Sequence, residues 1–434
     1  MNYKINYKSF NFLEIGRRFF HIGIFLLPSA FSFSVILLII SAFLSSLNYK
    51  YIFKEKWNYP FFAVGILMLI RNILLEVNLF ESNNSLILSE SNWIDLLNWI
   101  PLIWIFSSFQ IYLKKKNDRE ICSGLLLAGT VPIIVSGFAQ YFLGWHGPFE
   151  AFNGLIVWYQ KSIEERGYNS LTGPFNNQNY AGAWLVTILP ICFFKVKKHF
   201  HIKYKRIIFL IFLIVLFIGI LLTNSRNAIL ASFLSIPIML GVSYKIWLIG
   251  FIFIFSFLIS IIIFESPLEI LRPLRKSKII ESFIPDYDLR FKDFLNFTRI
   301  KIWKNAISSI MQRPFLGWGA SSFSVIYMLN NKDFIFLHTH NLLLEVSHNY
   351  GIIISIILFT SIFQLMRKTN KQLFSKQSSI LKKMDYPNID KYWWTSSFLI
   401  LFIHLSDVTY YDGRISILFW LLLSGLVMNL RETT

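Results

Sequence analysis

Long apolar runs recur along this chain, and they decide the solvent it folds in before any motif does. They lie near residues 17–29, 32–47, 60–76, 97–113, 121–143, 179–195, 206–222, 226–242, 246–264, 340–366, 393–409 and 414–430. Most approach the roughly 20 residues that a helix needs to cross a bilayer core. In hydrocarbon the backbone must satisfy its own polar groups, which continuous apolar runs do as helices. Only 15% of residues are charged and mean hydropathy is +0.52, which excludes a soluble globular fold. The expectation is an all-α polytopic membrane protein with about twelve transmembrane helices.

The first two runs test that count. As one helix, residues 19–47 would rise about 44 Å against a core of about 30 Å, and Pro28 interrupts them. A hairpin of two short helices is expected instead, and the charges agree. Lys4, Lys8, Arg17 and Arg18 then share a side with Lys50, Lys54 and Lys56. So do Lys114–Lys116, the Lys195–Arg206 cluster, and the basic residues of 367–391. The connection 77–96 carries Glu81, Glu90 and Asp95 and no cation. The positive-inside rule therefore puts both termini in the cytoplasm. About nine membrane helices fill residues 1–264, with an outer loop at 144–178. A large outer loop follows at 265–339, and about three helices close the chain over 340–434. The net charge of +18 is explained by these flanking cations before nucleic-acid binding is invoked. Cys122 and Cys192 fall inside apolar runs and offer neither a disulfide framework nor a metal spacing.

Chemistry is expected where the large outer loop meets the run from 340 to about Met366. Phe336–Leu343 reads FLHTHNLL, with His338, His340 and Asn341 at a membrane–water boundary. Asn341, Glu345 and His348 follow at i, i+4 and i+7 and share a helix face. Four further stretches hold candidates. Arg226, in TNSRN at 223–227, separates two apolar runs; it either snorkels or faces a cavity where its fork matches phosphate. Residues 298–323 read as an amphipathic surface helix with a stripe of Ile300, Trp303, Ile307 and Ile310, ended by Pro314 and followed by Gly317 and Gly319. Arg299 sits at its start, where N–H groups and a guanidinium together suit an anion. Asn177 and Asn179, in 172–182, suit either sugar hydroxyls or helix capping. His404 and Asp407 are spaced i, i+3 and either orient one another or brace the bundle. Asp286-Tyr287-Asp288 and the His199/His201 pair are weaker motifs. No glycine-rich phosphate loop, zinc motif or serine-hydrolase elbow is found.

The order of these pieces resembles the O-antigen ligase and polymerase family of bacterial surface-polysaccharide assembly. The resemblance rests on GPFNNQNYAG at 173–182, TNSRNAILA at 223–231, RIKIWKNAISSIMQRPFLGWGASSF at 299–323 and HTHNLLLEVSHNYGIIISIILF at 338–359. A common Glu-X-Gly of that family reads His348-Asn349-Tyr350-Gly351 here. The resemblance implies a multi-pass inner-membrane glycosyltransferase with a large periplasmic loop. Its donor would be a glycan on polyprenyl diphosphate, its acceptor a glycan or lipid hydroxyl, and its surroundings membrane lipid, with no nucleic acid, metal or cofactor. His340 would be the base, and Arg226 and Arg299 the groups that steady the leaving diphosphate. Asn341, His338, Asn179 and Asn177 would contact substrate, backed by Glu345, His348, Asp407 and His404. A rival expectation is a secondary transporter of a small anion such as bicarbonate, which predicts inverted repeats and midplane sites; no repeat is visible.

Overall fold

The computed structural model describes residues 12–47, 49–80, 92–162, 165, 169–241, 298–331, 336–374 and 387–432. The run at 246–264, Asp286-Tyr287-Asp288 and most cations of the large loop lie outside the described residues. Among the described residues, fifteen α-helices run in chain order. They are α1 (Phe12–Leu26), α2 (Phe31–Ser46), α3 (Tyr49–Lys54), α4 (Asn58–Phe80), α5 (Ile100–Phe109), α6 (Lys116–Leu143), α7 (Gln178–Lys198), α8 (Lys203–Leu222) and α9 (Arg226–Leu240). After the large loop come α10 (Thr298–Gln312), α11 (Ser322–Asn331), α12 (Leu342–Tyr350), α13 (Ile352–Phe374), α14 (Ile389–His404) and α15 (Gly413–Glu432).

Among the described residues, seven segments are long and apolar enough to cross a membrane: Asn58–Val77, Asn92–Leu113, α6, α7, α8, α13 and α15. Helices α2 and α9 are apolar but shorter. The first two runs do form a hairpin, α1 and α2, turned at residues 27–29 around Pro28. Burial sorts the spans by position. The apolar window of α15 is 83% buried and that of α8 17%, so α15 is the central post while α8 faces lipid. Around α15 the core is aromatic: Trp420 meets Phe61 and Phe106 edge-on, and Trp99 stacks on Tyr410 at 4.5 Å.

Three expectations need correction. The run from 340 is not one helix, because Gly351 breaks it into α12 and α13. Gly351 has φ +91°, and a Cβ there would stand 2.0 Å from the Phe315 carbonyl oxygen. The turn after α10 packs into that gap: Ile352 N donates to Pro314 O (2.8 Å) and Trp318 N to His348 O (2.8 Å). The stripe on α10 is also rotated. Ile302, Ala306 and Ile310 are buried, whereas Ile307 is 50% exposed, because the helix packs on α11 and α12 rather than only on lipid. Finally, the fold is not purely helical. Phe149–Ala151 and Ile156–Trp158 pair antiparallel in the loop 144–178, and Trp158 Nε1 donates to Ser29 O at 2.6 Å, which pins this hairpin over the α1–α2 turn.

The two ends of the bundle differ chemically. At the end carrying the lysine-rich loops, Arg119 on α6 is fully buried. It donates to Asp390 at the start of α14 (2.6 and 3.1 Å) and to Glu432 at the end of α15 (2.6 Å). Arg17 pairs with Asp118 (2.9 Å) and Arg431 with Glu55 (3.5 Å) at the same end. The opposite end carries α10–α12 and the loops that precede α7, α9 and α15.

Candidate active site

The stretch before α12 is an unusual piece of backbone. His340 has φ +53°, a left-handed conformation that costs a non-glycine residue of order 1 kcal/mol or more unless its surroundings impose it. They do. Thr339 N donates to Glu345 Oε2 (2.8 Å), Thr339 Oγ1 donates to Asn341 O (2.8 Å), and Trp303 Nε1 donates to Thr339 O (3.1 Å). On the other side Asn341 caps α12, its Oδ1 accepting from Leu344 N (3.1 Å) while its Nδ2 donates to Leu405 O (2.8 Å). His340 is thus presented by neighbours fixed on both flanks. Glu345 lies one turn into α12, is 3% exposed, and has its carboxyl pushed up by burial; it braces the loop as a buried acceptor.

His340 turns to Asp407. Nδ1 lies 3.0 Å from Asp407 Oδ1, with the imidazole 24% and the carboxylate 5% exposed. Burial alone would raise the Asp407 carboxyl. The hydrogen bond from His340, followed by the charges of His340 and Arg299, outweighs burial and holds the carboxyl below its ordinary value. An ionised carboxylate only accepts, so Nδ1 is the donor, and in the neutral form of the ring the lone pair lies on Nε2. Val408 N donates to the same Oδ1 (2.9 Å), which fixes the carboxylate from behind.

Arg299 lies within electrostatic reach of this pair, and Arg226 within reach of Arg299. Arg299 is half-buried, and its Nη1 is buried with no hydrogen-bond partner among the described residues. Burial lowers its guanidinium, Asp407 works in the opposite sense, and Arg226 lowers it further. Arg226, the first residue of α9, is exposed and has no ion pair among the described residues. Gly182 explains its placement. A Cβ at Gly182 would meet Ala228 Cβ at 2.7 Å and Ser225 Cβ at 3.0 Å, so only glycine lets α7 and α9 close up and bring the start of α9 to this end. Helix α7 contributes its own start as well: Tyr180 lies within electrostatic reach of Asp407, Asp412 and Arg414.

The remaining candidates divide. His338 stacks edge-on against His340, with ring centroids 4.4 Å apart. Burial, then the charges of His340 and Arg299, bring its imidazole down to about 4 against the pull of Asp407; it is neutral and weakly basic. His338, His340 and Asp407 place one possible metal-ligating atom each within 4.8 Å of the others. Asn177 caps α7, its side chain accepting from Asn179 N and Tyr180 N (2.8 and 3.4 Å), the capping alternative of the two open to it. Asn179 is half-buried. His404 does not pair with Asp407: both its ring nitrogens lack partners among the described residues, and the ring lies edge-on to Phe419 and Tyr410. Asp407 sits beyond the end of α14, in the loop that turns toward His340. His348 is buried against Phe323, 3.3 Å from Asn349 Oδ1.

A buried bracket behind the site was not anticipated. Arg71 Nε donates to Leu316 O (2.6 Å), Asn92 Oδ1 accepts from Ala320 N (2.7 Å), and Tyr350 Oη donates to Asp95 Oδ2 (2.6 Å). It ties α4 and residues 92–98 to the turn after α10 and to the end of α12. Arg414 was also missed. It holds Asp412 (2.5 and 2.9 Å), donates to Pro174 O (2.9 Å) and covers the Phe175 ring at 3.9 Å.

Fold and site define a multi-pass helical membrane protein with a polar, cation-rich centre at one end of its bundle. Residues 210–359 match the family model described as O-antigen ligase. The match supports the family resemblance and, with the spans, the broad class of a membrane glycan-processing enzyme. It includes Arg226, Arg299 and His340, while Asp407 lies beyond it. Comparison with curated proteins gave no match.

Proposed function

We propose that this protein is a glycosyltransferase of the O-antigen ligase or polymerase type. It moves a glycan from a polyprenyl-diphosphate carrier to an acceptor hydroxyl at the periplasmic face of the bacterial inner membrane, without a metal or cofactor. One observation carries the reading: Arg299, whose buried Nη1 has no hydrogen-bond partner among the described residues, lies within electrostatic reach of both the histidine–aspartate pair and Arg226. Two guanidiniums against one carboxylate suit a polyanion. An apolar groove of about 350 Å³ between α10, α12 and α13, lined by Ile307, Met311, Leu343, Leu344, Ile356 and Phe359, suits the hydrocarbon chain of a lipid-linked donor.

The chemistry follows from charge. As the acceptor oxygen attacks the anomeric carbon, His340 Nε2 takes the hydroxyl proton. The bond from that carbon to the diphosphate oxygen breaks, and the electron pair leaves with the diphosphate. Arg226 and Arg299 meet that charge where it grows, the kind of preorganised stabilisation that contributes most to such reactions. Asp407 steadies the imidazolium. Glu345 and Asn341 hold the loop, His348 and His404 pack behind it, and His338 and Asn179 are left to contact sugar. His338 is unsuited as the base because its imidazole is too weakly basic at neutral pH.

The test is transfer by protein reconstituted in liposomes with a polyprenyl-diphosphate glycan. His340→Ala should lower turnover by about 100-fold or more while the donor still binds. Transfer at the wild-type rate by that variant would remove the assignment. Surface polysaccharide from a deletion strain separates the two types: long chains left on the carrier indicate a ligase, single repeats a polymerase.

A further inference from the structure

The three side chains around the base have a second capability. His338, His340 and Asp407 offer two ring nitrogens and one carboxylate oxygen, all within 4.8 Å of one another. A zinc-class ion binds such atoms at about 2.0–2.2 Å, which sets tetrahedral ligands about 3.4 Å apart. His340 Nδ1 and Asp407 Oδ1, at 3.0 Å, already stand near that separation. Closing the third ligand from within 4.8 Å needs at most about 1.4 Å of movement from His338. Its Nδ1 is buried and makes no hydrogen bond to the described residues, so moving the ring breaks no such bond there. His338 and His340 flank Thr339, whose N–H and hydroxyl are both engaged, so the backbone between the two rings is held.

We propose that His338, His340 and Asp407 form a binding site for a divalent transition metal of the zinc class, which inhibits the protein when bound. The ion would take the position of the proton between His340 and Asp407, so metal binding and proton abstraction exclude one another. The inhibition rests on the transfer reading above; the binding does not. Arg299 and Arg226 set the selectivity. Their charge opposes any cation, and only an ion with strong affinity for neutral imidazole overcomes it. Zinc, copper, nickel and cobalt belong to that class, whereas magnesium and calcium prefer all-oxygen sites.

The binding test is calorimetric titration of the full chain in detergent, stripped with chelator and carrying no polyhistidine tag, with Zn²⁺, Mg²⁺ and Ca²⁺ in turn. To silence the lysine-end histidines, the titration uses a His199→Gln/His201→Gln background. The expected result is saturable binding of one Zn²⁺ per chain, no response to Mg²⁺ or Ca²⁺, and an affinity loss of at least tenfold in His338→Gln and in Asp407→Asn. Co²⁺ in place of Zn²⁺ should give a visible absorption band that both variants lose. Metal-free thermal stability of each variant separates lost ligands from lost fold. If Zn²⁺ does not saturate, or binds equally well to a folded His338→Gln variant, the site does not exist. In the transfer assay, Zn²⁺ should inhibit at least tenfold and EDTA should reverse it. Saturable binding without inhibition would overturn the inhibitory role. Saturable binding by a wild-type protein that transfers no glycan would instead overturn the proposed function and leave the metal site standing.

Discussion

Asp407→Asn isolates the charge of the carboxylate from its shape. The amide fills the same space and can still accept from His340 Nδ1, so the ring keeps its orientation. What is lost is the negative charge 3.0 Å from the imidazole. At that distance, with an effective dielectric of about 20, a full ion pair is worth about 5–6 kcal/mol. The imidazole is 24% exposed and Arg299 opposes part of the gain, so about 3–4 kcal/mol is a reasonable share. It is felt only once the imidazolium forms. At roughly 1.4 kcal/mol per factor of ten, turnover should fall by about 10²–10³, with the KM for donor little changed. The assay is initial-rate transfer in proteoliposomes over a range of donor concentrations. A variant within threefold of wild type in kcat would refute the argument, as would a loss confined to KM.

Other perturbations reach different parts of the site. Arg226→Lys and Arg299→Lys each keep a charge but lose the fork, and each should cost about tenfold or more in transfer; a variant with unchanged kcat/KM would show that only net charge matters there. Gly351→Ala forces φ +91° on a residue with a Cβ and drives that Cβ to 2.0 Å from Phe315 O, so it should destabilise by more than about 2 kcal/mol. An unchanged thermal midpoint in detergent would contradict that. His338 titrates near 4 in the folded chain against about 6.5 when unfolded. Above 6.5 the ring is neutral in both states and its contribution is complete. As pH falls from 6.5 towards 4 only the unfolded chain takes up the proton, so stability drops by up to roughly 3 kcal/mol. In chelator-treated buffer His338→Gln should lose less stability than wild type over that window, and parallel curves would count against the burial of this ring.

The membrane class, the opening hairpin and the end of α10 were legible because each has a local cause: apolar length, Pro28 and Pro314. The expectation that Arg226, Arg299 and His340 act together comes only from the order of motifs, since nothing in their spacing brings them together. Local spacing misled at Asp407. An i, i+3 separation from His404 is visible in the chain, whereas the partner the aspartate takes lies 67 residues away, across a loop that no periodicity describes. The break at Gly351 was hidden because apolar residues continue through it, and its cause, the turn at 313–319, arrives from another element. Arg71 reads as an ordinary cation within α4, since its partners at 316 and 92 belong to segments that say nothing of it locally.

Arg119 has a consequence in time. Its partners Asp390 and Glu432 follow it by 271 and 313 residues, so for most of synthesis a guanidinium destined for full burial has neither carboxylate. The carbonyls of Leu113 and Lys114, at 2.9 and 3.3 Å, are available from the start and serve as its holding partners. Burying that charge without a carboxylate is expensive, so the close packing of α6 against α14 and α15 waits for both partners. Arg119 therefore works as a latch whose bolt is carried by helices made much later.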